Sequence, residues 1–222
     1  MTNLTHDLEC FFKRCRVPNL ANFIAKCEQL YSLLNIANQQ VNLTRIDSEA
    51  GFWLKHVADS LAISIYFPEL SSEKLSLGDI GCGAGFPSLI LAAAFPNLHI
   101  TAIDSIGKKT AFVEAAAKEL NLHNLNIFTG RTKEMNRLAQ WQSRFDIVTA
   151  RAVADARTLY REARNFPKPD GKFIFYKTPE QTATDFPQVA AASAQHNITW
   201  LTTEVFELPC NSGQRQFLYS SN

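Results

Sequence analysis

The stretch GDIGCGAGFPS at residues 78–88 constrains the fold more than any other part of this 222-residue chain. It places a glycine-rich turn after a short apolar run and before a helical pattern, where Pro87 suits the first helical turn. Glycine lets the backbone turn sharply and approach a ligand without a Cβ in the way. Because ligands of open α/β sheets bind beyond the carboxyl ends of the strands, this turn predicts a ligand site as well as a sheet.

From residue 75 onward, short apolar or β-branched runs alternate with helical patterns, which indicates βαβ units and a mostly parallel sheet covered on both faces. The predicted strands are Leu75–Ile80, His99–Asp104, Asn124–Thr129, Asp146–Ala150 and Phe173–Lys177. The predicted helices are Pro87–Phe95, Gly107–Leu120, Lys133–Trp141 and Asp155–Asn165. The runs at 198–208 and 215–220 predict two last strands without a helix between them, hence an antiparallel C-terminal hairpin that finishes the sheet.

The first 70 residues have helical patterns instead. Apolar residues recur at helical spacing in 20–40 and again in 48–67, where Pro68 ends the pattern, and residues 41–48 connect the two. We therefore predict an N-terminal helical cap over residues 1–70, followed by a Rossmann-like α/β domain over residues 71–222, the two forming a single compact unit.

Composition narrows the class of protein. The apolar fraction of 46% is typical of a chain with an ordinary core. No run approaches the ~20 apolar residues of a membrane helix, and the N-terminus lacks a signal pattern, so we expect a cytoplasmic protein with no membrane partner. The 5 cysteines form no CxxC pair, so we expect reduced thiols and no metal site.

Charge is unevenly distributed along the chain. The net charge is only +1, but residues 105–177 contain 14 basic and 7 acidic residues, and the remainder is net acidic. Such asymmetry favours a surface that faces a polyanion. The basic residues that would form such a surface are Lys108, Lys109, Arg157, Arg161 and Arg164, and a solvated face of mixed charges explains the same pattern equally well.

The spacing of the glycines selects a cofactor. Gly81, Gly83 and Gly85 follow a GxGxG pattern, and Phe86 stands where a dinucleotide-binding loop has its third glycine. This pattern favours S-adenosylmethionine over NAD.

Acids flank the glycines on both sides. Asp79 precedes them and suits the amino group of the cofactor, directly or through water. Asp104 ends the next predicted strand, 25 residues after Asp79, and suits the two ribose hydroxyls.

Six motifs together show a resemblance to a known family. They are NLTRI at 42–46, HVADSL at 56–61, DIGCGAGFP at 79–87, DSIGKKTAFV at 104–113, FDIVTARAVA at 145–154 and GKFIFYK at 171–177. With them the chain resembles the bacterial 16S rRNA guanine-N7 methyltransferases, also called glucose-inhibited division protein B, over about residues 30–177. The two cap motifs make the resemblance specific, since many methyltransferases share the glycine turn. The chain departs from the family pattern at Ser88, Thr132 and Lys133.

The resemblance extends the set of expected site residues. Thr132 and Lys133 would meet the adenine end of the cofactor, and Arg151 would lie near the methyl group and the target base. Lys177 is the second predicted catalytic residue after Arg151. The full cofactor set is Asp79, Gly81, Gly83, Gly85, Phe86, Asp104, Thr132, Lys133 and Arg151. The polar residues expected to support the pocket from the cap are Asn42, Thr44, His56 and Asp59.

The implied reaction needs no general base. Guanine N7 carries a free lone pair on the major-groove edge of the base, so no proton has to be removed before methyl transfer. The enzyme must instead hold the reacting atoms ~3–3.5 Å apart and in line. The implied partner is 16S rRNA or the small ribosomal subunit, and the implied enzyme is a monomer.

Three other readings of the sequence remain open. One is a small-molecule methyltransferase on the same fold, which would be indifferent to RNA. Another is an NAD-dependent oxidoreductase, which the Phe86 position disfavours. The third is an RNA-binding protein that holds the cofactor without catalysis, which predicts RNA binding without methyl transfer.

Overall fold

A central eight-stranded sheet organises the computed structural model, which describes residues 2–45 and 48–221. Its strands are β1 Ser76–Ile80, β2 His99–Asp104, β3 Leu125–Thr129, β4 Phe145–Arg151, β5 Pro167–Lys177, β6 Thr199–Thr202, β7 Phe206–Glu207 and β8 Gln214–Ser221. The order across the sheet is β3-β2-β1-β4-β5-β8-β6, and β7 pairs separately with β8. β1 to β5 are parallel, and β8 runs antiparallel to both β5 and β6.

This topology confirms the predicted fold class of a mostly parallel sheet with an antiparallel C-terminal pair. The arrangement of the pair differs from a simple terminal hairpin, because the last strand β8 lies between β5 and β6 and leaves β6 at the edge. The strand order reverses at β1, which pairs with β2 on one side and β4 on the other. The carboxyl ends of β1 and β4 therefore border the crevice where such sheets bind their ligands.

Helices cover both faces of the sheet. Those that follow strands are α7 Ser88–Ala94, α8 Gly107–Glu119, α9 Thr132–Met135, α10 Ala156–Ala163 and α11 Pro179–Ser193. Those of the cap are α1 Thr2–Arg14, α2 Leu20–Val41, α3 Glu49–Gly51, the π-helical segment Phe52–Ala58, α4 Asp59–Leu61, α5 Ile63–Tyr66 and α6 Glu69–Ser72. One apolar cluster joins the cap, α7 and α8 to one face of the sheet, and a second joins α10 and α11 to the other.

Two predicted helical segments differ from the structure, and β5 begins six residues before the predicted strand Phe173–Lys177. The helical pattern of 48–67 contains a π-helical turn, a wider geometry whose period the pattern does not reveal. The predicted helix Lys133–Trp141 is α9 followed by a separate 3-10 turn at Ala139–Trp141, because Leu138 between them is extended. Helix α11 was not predicted. Ile46 of the NLTRI motif and Asp47 of the connector lie outside the described residues.

The cap and the sheet share the first apolar cluster, which extends from Leu8 to Phe217. The division of the chain at residue 70 stays a prediction. None of the helices in residues 2–45 and 48–221 combines the length and the apolar character that crossing a bilayer requires.

Candidate functional site

The glycine turn after β1 borders an open cleft. Gly81 and Gly83 have φ values of +67° and +56°, a region that side chains with a Cβ rarely adopt. A Cβ on Gly81 would lie 2.6 Å from a methyl group of Val153, whereas a Cβ on Gly83 would meet no protein atom within 4 Å. The backbone at Gly83 therefore faces space that a ligand can use.

Asp104 at the end of β2 fixes the position of that turn. Its Oδ2 accepts a hydrogen bond from the Gly83 backbone N–H and its Oδ1 accepts one from the Ile106 N–H, both at 2.9 Å. The carboxylate lines the cleft, and each of its oxygens has a second lone pair. Asp104 therefore lines the cleft with acceptor capacity to spare, and its contact with the two hydroxyls of a ribose stays a prediction.

Asp79 lies deeper, under the turn. Its side chain is fully buried and does not line the cleft. Ser88 donates its hydroxyl proton to Oδ2, while Oδ1 has no hydrogen-bond partner among the described residues. Burial raises the pKa of Asp79 to about 6, although the Ser88 hydrogen bond opposes the shift. The carboxyl thus has one oxygen for which the described residues supply no donor.

The cleft has a volume of about 840 Å³ and lies between the strand ends and the cap. Predicted site residues that line it are Gly81, Gly83, Phe86, Asp104, Thr132, Lys133 and Arg151, together with Thr44 and His56 of the cap. Predicted site residues that do not line it are Asp79, Gly85 and Lys177. Gly85 instead makes room for packing, since a Cβ there would lie 2.4 Å from Leu89.

Arg151 at the end of β4 reaches across to the cap. Its Nη1 donates to the carboxylate of Asp59 at 3.0 Å and to the carbonyl oxygen of Lys55 at 2.8 Å. Arg215 on β8 binds the same carboxylate at 2.8 Å, so Asp59 holds two guanidinium groups. Arg151 therefore lines the cleft as a fixed cation that is already paired.

His56 joins this network in its neutral form. Its Nδ1 lies 3.3 Å from Nη2 of Arg151, which can only donate, so the ring proton is on Nε2 and points to Thr44 Oγ1 at 3.1 Å. Burial, with the Arg151 charge, lowers the pKa of His56 to about 3. The ring stacks on Phe86 with centroids 4.0 Å apart. Thr44, His56 and Asp59 thus form the expected cluster, while Asn42 lies apart and ends α2 in the left-handed conformation.

Lys177 occupies a position other than the one predicted. Its side chain is 6% exposed, and its Nζ forms an ion pair with Asp185 on α11 at 2.7 Å. A lysine at the end of a strand is exposed only if no other element covers it. Here helix α11, which was not predicted, covers Lys177. The position supports a structural contact behind the cleft and not a contact with substrate.

Several cleft residues were missed in the sequence. Ile106 lines the cleft and is 41% exposed. It follows Asp104 by two positions, and an apolar side chain just after a strand end in a βα unit could have indicated a residue of the ligand site. Arg131 and Arg137 also line the cleft. Arg215 is not part of any motif noted in the sequence, and only the antiparallel insertion of β8 brings it to Asp59.

The other predicted basic residues lie in or near the cleft and on α10. Lys109 lines the cleft, and Lys108 is exposed beside it on α8. Arg157 and Arg161 are exposed on α10, the helix that follows β4, and Arg164 is exposed directly after it. All five remain candidates for contacts with RNA phosphates.

The family described as rRNA small subunit methyltransferase G matches residues 23–216. The chain belongs to this family. It is 36% identical to ribosomal RNA small subunit methyltransferase G of Brevibacillus brevis over 86% of this chain and 79% of the relative. It is 38% identical to the enzyme of the same name from Leuconostoc mesenteroides, over 69% of this chain and 64% of the relative.

Solved structures show the fold more broadly. An O-methyltransferase from Bacillus cereus, solved with SAH, matches 88% of this chain and 91% of its own length with a TM-score of 0.60 at 12% identity. A SAM-dependent methyltransferase from Aquifex aeolicus matches 82% of this chain and 97% of its own length, with a TM-score of 0.58 at 14% identity. These solved structures confirm the methyltransferase fold alone, while membership of the family confirms the predicted family and the class of enzyme and cofactor.

The residues of this cleft fit S-adenosylmethionine on three counts. Gly83 leaves open the space that a Cβ would occupy. Asp104 offers a carboxylate with acceptor capacity at the end of β2, and Asp79 has an oxygen without a partner among residues 2–45 and 48–221. No third glycine stands at Phe86, so the dinucleotide alternative has no support from the turn. No group of three or more His, Cys, Asp or Glu suited to a metal ion occurs in the described part of the chain.

Proposed function

We propose that this protein transfers the methyl group of S-adenosylmethionine to N7 of a guanine in 16S rRNA. The observation that carries the proposal is the meeting of two motifs in one cleft. The glycine turn with Asp104 lies on the sheet side, and His56 with its Arg151 partner lies on the cap side. The first pair suits the cofactor and the second suits the target base.

The sheet side holds the cofactor in this proposal. Asp104 binds the ribose, Thr132 and Lys133 contact the adenine end, and the free oxygen of Asp79 serves the amino group directly or through water. When bound, S-adenosylmethionine supplies an electrophilic methyl group on a sulfonium. The turn at Gly81 and Gly83 lets the backbone lie against the cofactor.

The cap side orients the guanine. Arg151 is a fixed donor, because Asp59 and the Lys55 carbonyl hold one edge of its guanidinium. Such a group can contact the O6 edge of a purine without losing its own pairing. Neutral His56 is not needed as a base, since N7 has no proton to lose. The target nucleotide must leave its stack to enter the cleft.

The substrate is proposed to be the small ribosomal subunit or its 16S rRNA, bound in part through the exposed basic residues of α8 and α10. Because binding of this kind releases counterions, it should weaken as salt rises. A cytoplasmic monomer is the form in which we expect the enzyme to act.

The direct test is transfer of labelled methyl groups. The purified protein is incubated with methyl-labelled S-adenosylmethionine and with 16S rRNA, both naked and as small subunits from cells that lack the enzyme. The RNA is then digested to nucleosides. We expect label in 7-methylguanosine, and loss of that label in Arg151→Ala and Asp104→Ala. Glu119→Ala, on the exposed surface of α8, is the control variant.

Two results separate the alternatives. Cofactor binding by calorimetry without label in RNA would overturn the rRNA assignment and favour a small-molecule acceptor or a binding protein. Label in another nucleoside would keep the enzyme class and refute N7 of guanine as the target atom.

A further inference from the structure

A buried ion pair lies behind the cleft, on the side away from the cap. Lys177 at the end of β5 and Asp185 on α11 are 6% and 8% exposed in their side chains, and their charged groups are 2.7 Å apart. Each also binds the backbone of one segment. Lys177 Nζ donates to the Ala154 carbonyl at 2.8 Å, and Asp185 Oδ2 accepts from the Ala156 N–H at 3.0 Å. The pair therefore holds the loop of residues 152–155 at its far end.

This loop connects β4 to α10 and forms a wall of the cleft. It begins directly after Arg151, and its residues Ala152, Val153 and Ala154 line the cleft. Ala152 has a φ of +56°, which is strained for a residue with a Cβ. Val153 lies so close to Gly81 that a Cβ on Gly81 would clash with the Val153 side chain. The loop thus has to be held in place, and its position sets the space beside the glycine turn.

We propose that Asp185 is a positioning residue, which acts through Lys177 and the backbone of 154–156 to fix this wall of the methyl-transfer site. The inference rests on the proposed function. Neither Asp185 nor Lys177 lines the cleft, so the effect must pass through the loop and not through contact with substrate. Arg151 is then held from two sides, by Asp59 of the cap in front and by its own loop behind.

Stability alone does not account for this arrangement. A buried ion pair can often be replaced by apolar side chains of similar size with little change in stability, although removal of one partner is strongly destabilising. An apolar pair cannot reproduce the two hydrogen bonds to Ala154 and Ala156. Replacement of both charges therefore separates the contribution to folding from the contribution to the site.

The test compares three forms of the full-length protein. The double variant Lys177→Met/Asp185→Leu should keep a Tm within a few degrees of the wild type. Its kcat for label transfer should fall by about 10- to 100-fold, the scale expected when a wall of a site moves by about 1 Å. Amide hydrogen exchange at 152–156 should become faster. The single variant Asp185→Ala leaves Lys177 unpaired, so its Tm should fall by about 10 °C.

A matched control lies on the same strand. Lys172 of β5 pairs with Glu69 at 2.8 Å, but at the opposite end of the sheet from the cleft. Lys172→Met/Glu69→Leu should leave both kcat and the exchange of 152–156 unchanged. If the double variant at 177 and 185 does not fold, Lys177→Met/Asp185→Asn serves instead. It removes both charges and the hydrogen bond to Ala154 but keeps an acceptor for the Ala156 N–H, so exchange at 152–154 should become faster and kcat should fall with little change in KM for RNA.

The outcomes distinguish this inference from the proposed function. Wild-type kcat and wild-type exchange in Lys177→Met/Asp185→Leu would overturn the positioning role. Absence of label transfer by the wild type would refute the proposed function, and the exchange rates of 152–156 would still decide whether Asp185 holds the loop.

Discussion

Asp79 should make the stability of the free protein depend on pH in a specific direction. Burial of this carboxyl raises its pKa from 3.8 to about 6. The same carboxyl ionises near its ordinary value in the unfolded chain, so between about pH 4 and pH 6 only the unfolded state is charged. The contribution of Asp79 to the free energy of unfolding is therefore fully present below about pH 4 and is lost as the pH rises through 6.

The size of this effect follows from the two pKa values. The interval from 3.8 to about 6 corresponds to about 3 kcal/mol. Asp79→Asn cannot ionise, so the unfolding free energy of the wild type minus that of the variant should fall by about 3 kcal/mol between pH 4 and pH 7. Guanidinium unfolding followed by tryptophan fluorescence measures both values. Ser88→Ala removes the hydrogen bond that lowers the pKa of Asp79, so the loss of stability should continue to a higher pH than in the wild type.

Cofactor binding gives an independent readout of the same carboxyl. If its ionised form serves the amino group of S-adenosylmethionine, the Kd should rise about tenfold for each pH unit below 6. Calorimetry across this range should show the slope in the wild type and its loss in Asp79→Asn. A stability difference that is the same at both pH values would refute the reasoning about burial, and a Kd without slope would refute the contact with the amino group.

Three further predictions concern the cap and the turn. Asp59→Asn should lower the unfolding free energy by about 3 kcal/mol and Arg215→Met by only about 1, measured in denaturant, because the first leaves two guanidinium groups unpaired; equal losses would contradict this. Gly81→Ala should lower the Tm by several degrees, whereas Gly83→Ala should mainly weaken cofactor binding by calorimetry; the reverse order would argue against an open cradle at 83. His56, with its pKa near 3, contributes stability above about pH 6.5 that is lost on acidification. The free energy of unfolding of His56→Phe should therefore fall less steeply than that of the wild type as the pH is lowered from 6.5. The same slope in both proteins would mean that the ring is charged in the folded state.

Local chemistry made the glycine turn and its flanking strands predictable. The turn needs positive φ, the adjoining strands need apolar runs, and both requirements are satisfied within a few residues of sequence. The predicted strand His99–Asp104 matches β2 at both ends, and Leu75–Ile80 differs from β1 by one residue. The hydrogen bond from the Gly83 N–H to Asp104 was not predicted, because it depends on β2 lying directly beside β1, and no strand order followed from the sequence.

Helix α11 shows how a missed element changes the reading of a residue. Its apolar periodicity is weak because it is rich in alanine and contains Pro187, yet it begins with Pro179 after a capping box formed by Thr178 and Gln181. That box was a usable signal. If α11 is not predicted, nothing places Asp185 beside Lys177, and the lysine is then interpreted as an exposed residue at a strand end that is suited to catalysis. With it, the lysine is a buried partner of a carboxylate.

The two cap motifs make a different point about specificity. Asp59 and Arg151 are 92 residues apart, and Asp59 and Arg215 are 156 apart, so no local pattern relates them. In the structure one carboxylate unites the cap, β4 and β8 at the edge of the cleft. A change at Asp59 therefore alters the setting of Arg151 even though Asp59 does not line the cleft. The position of Arg151 in the cleft therefore depends on a carboxylate that the cap supplies.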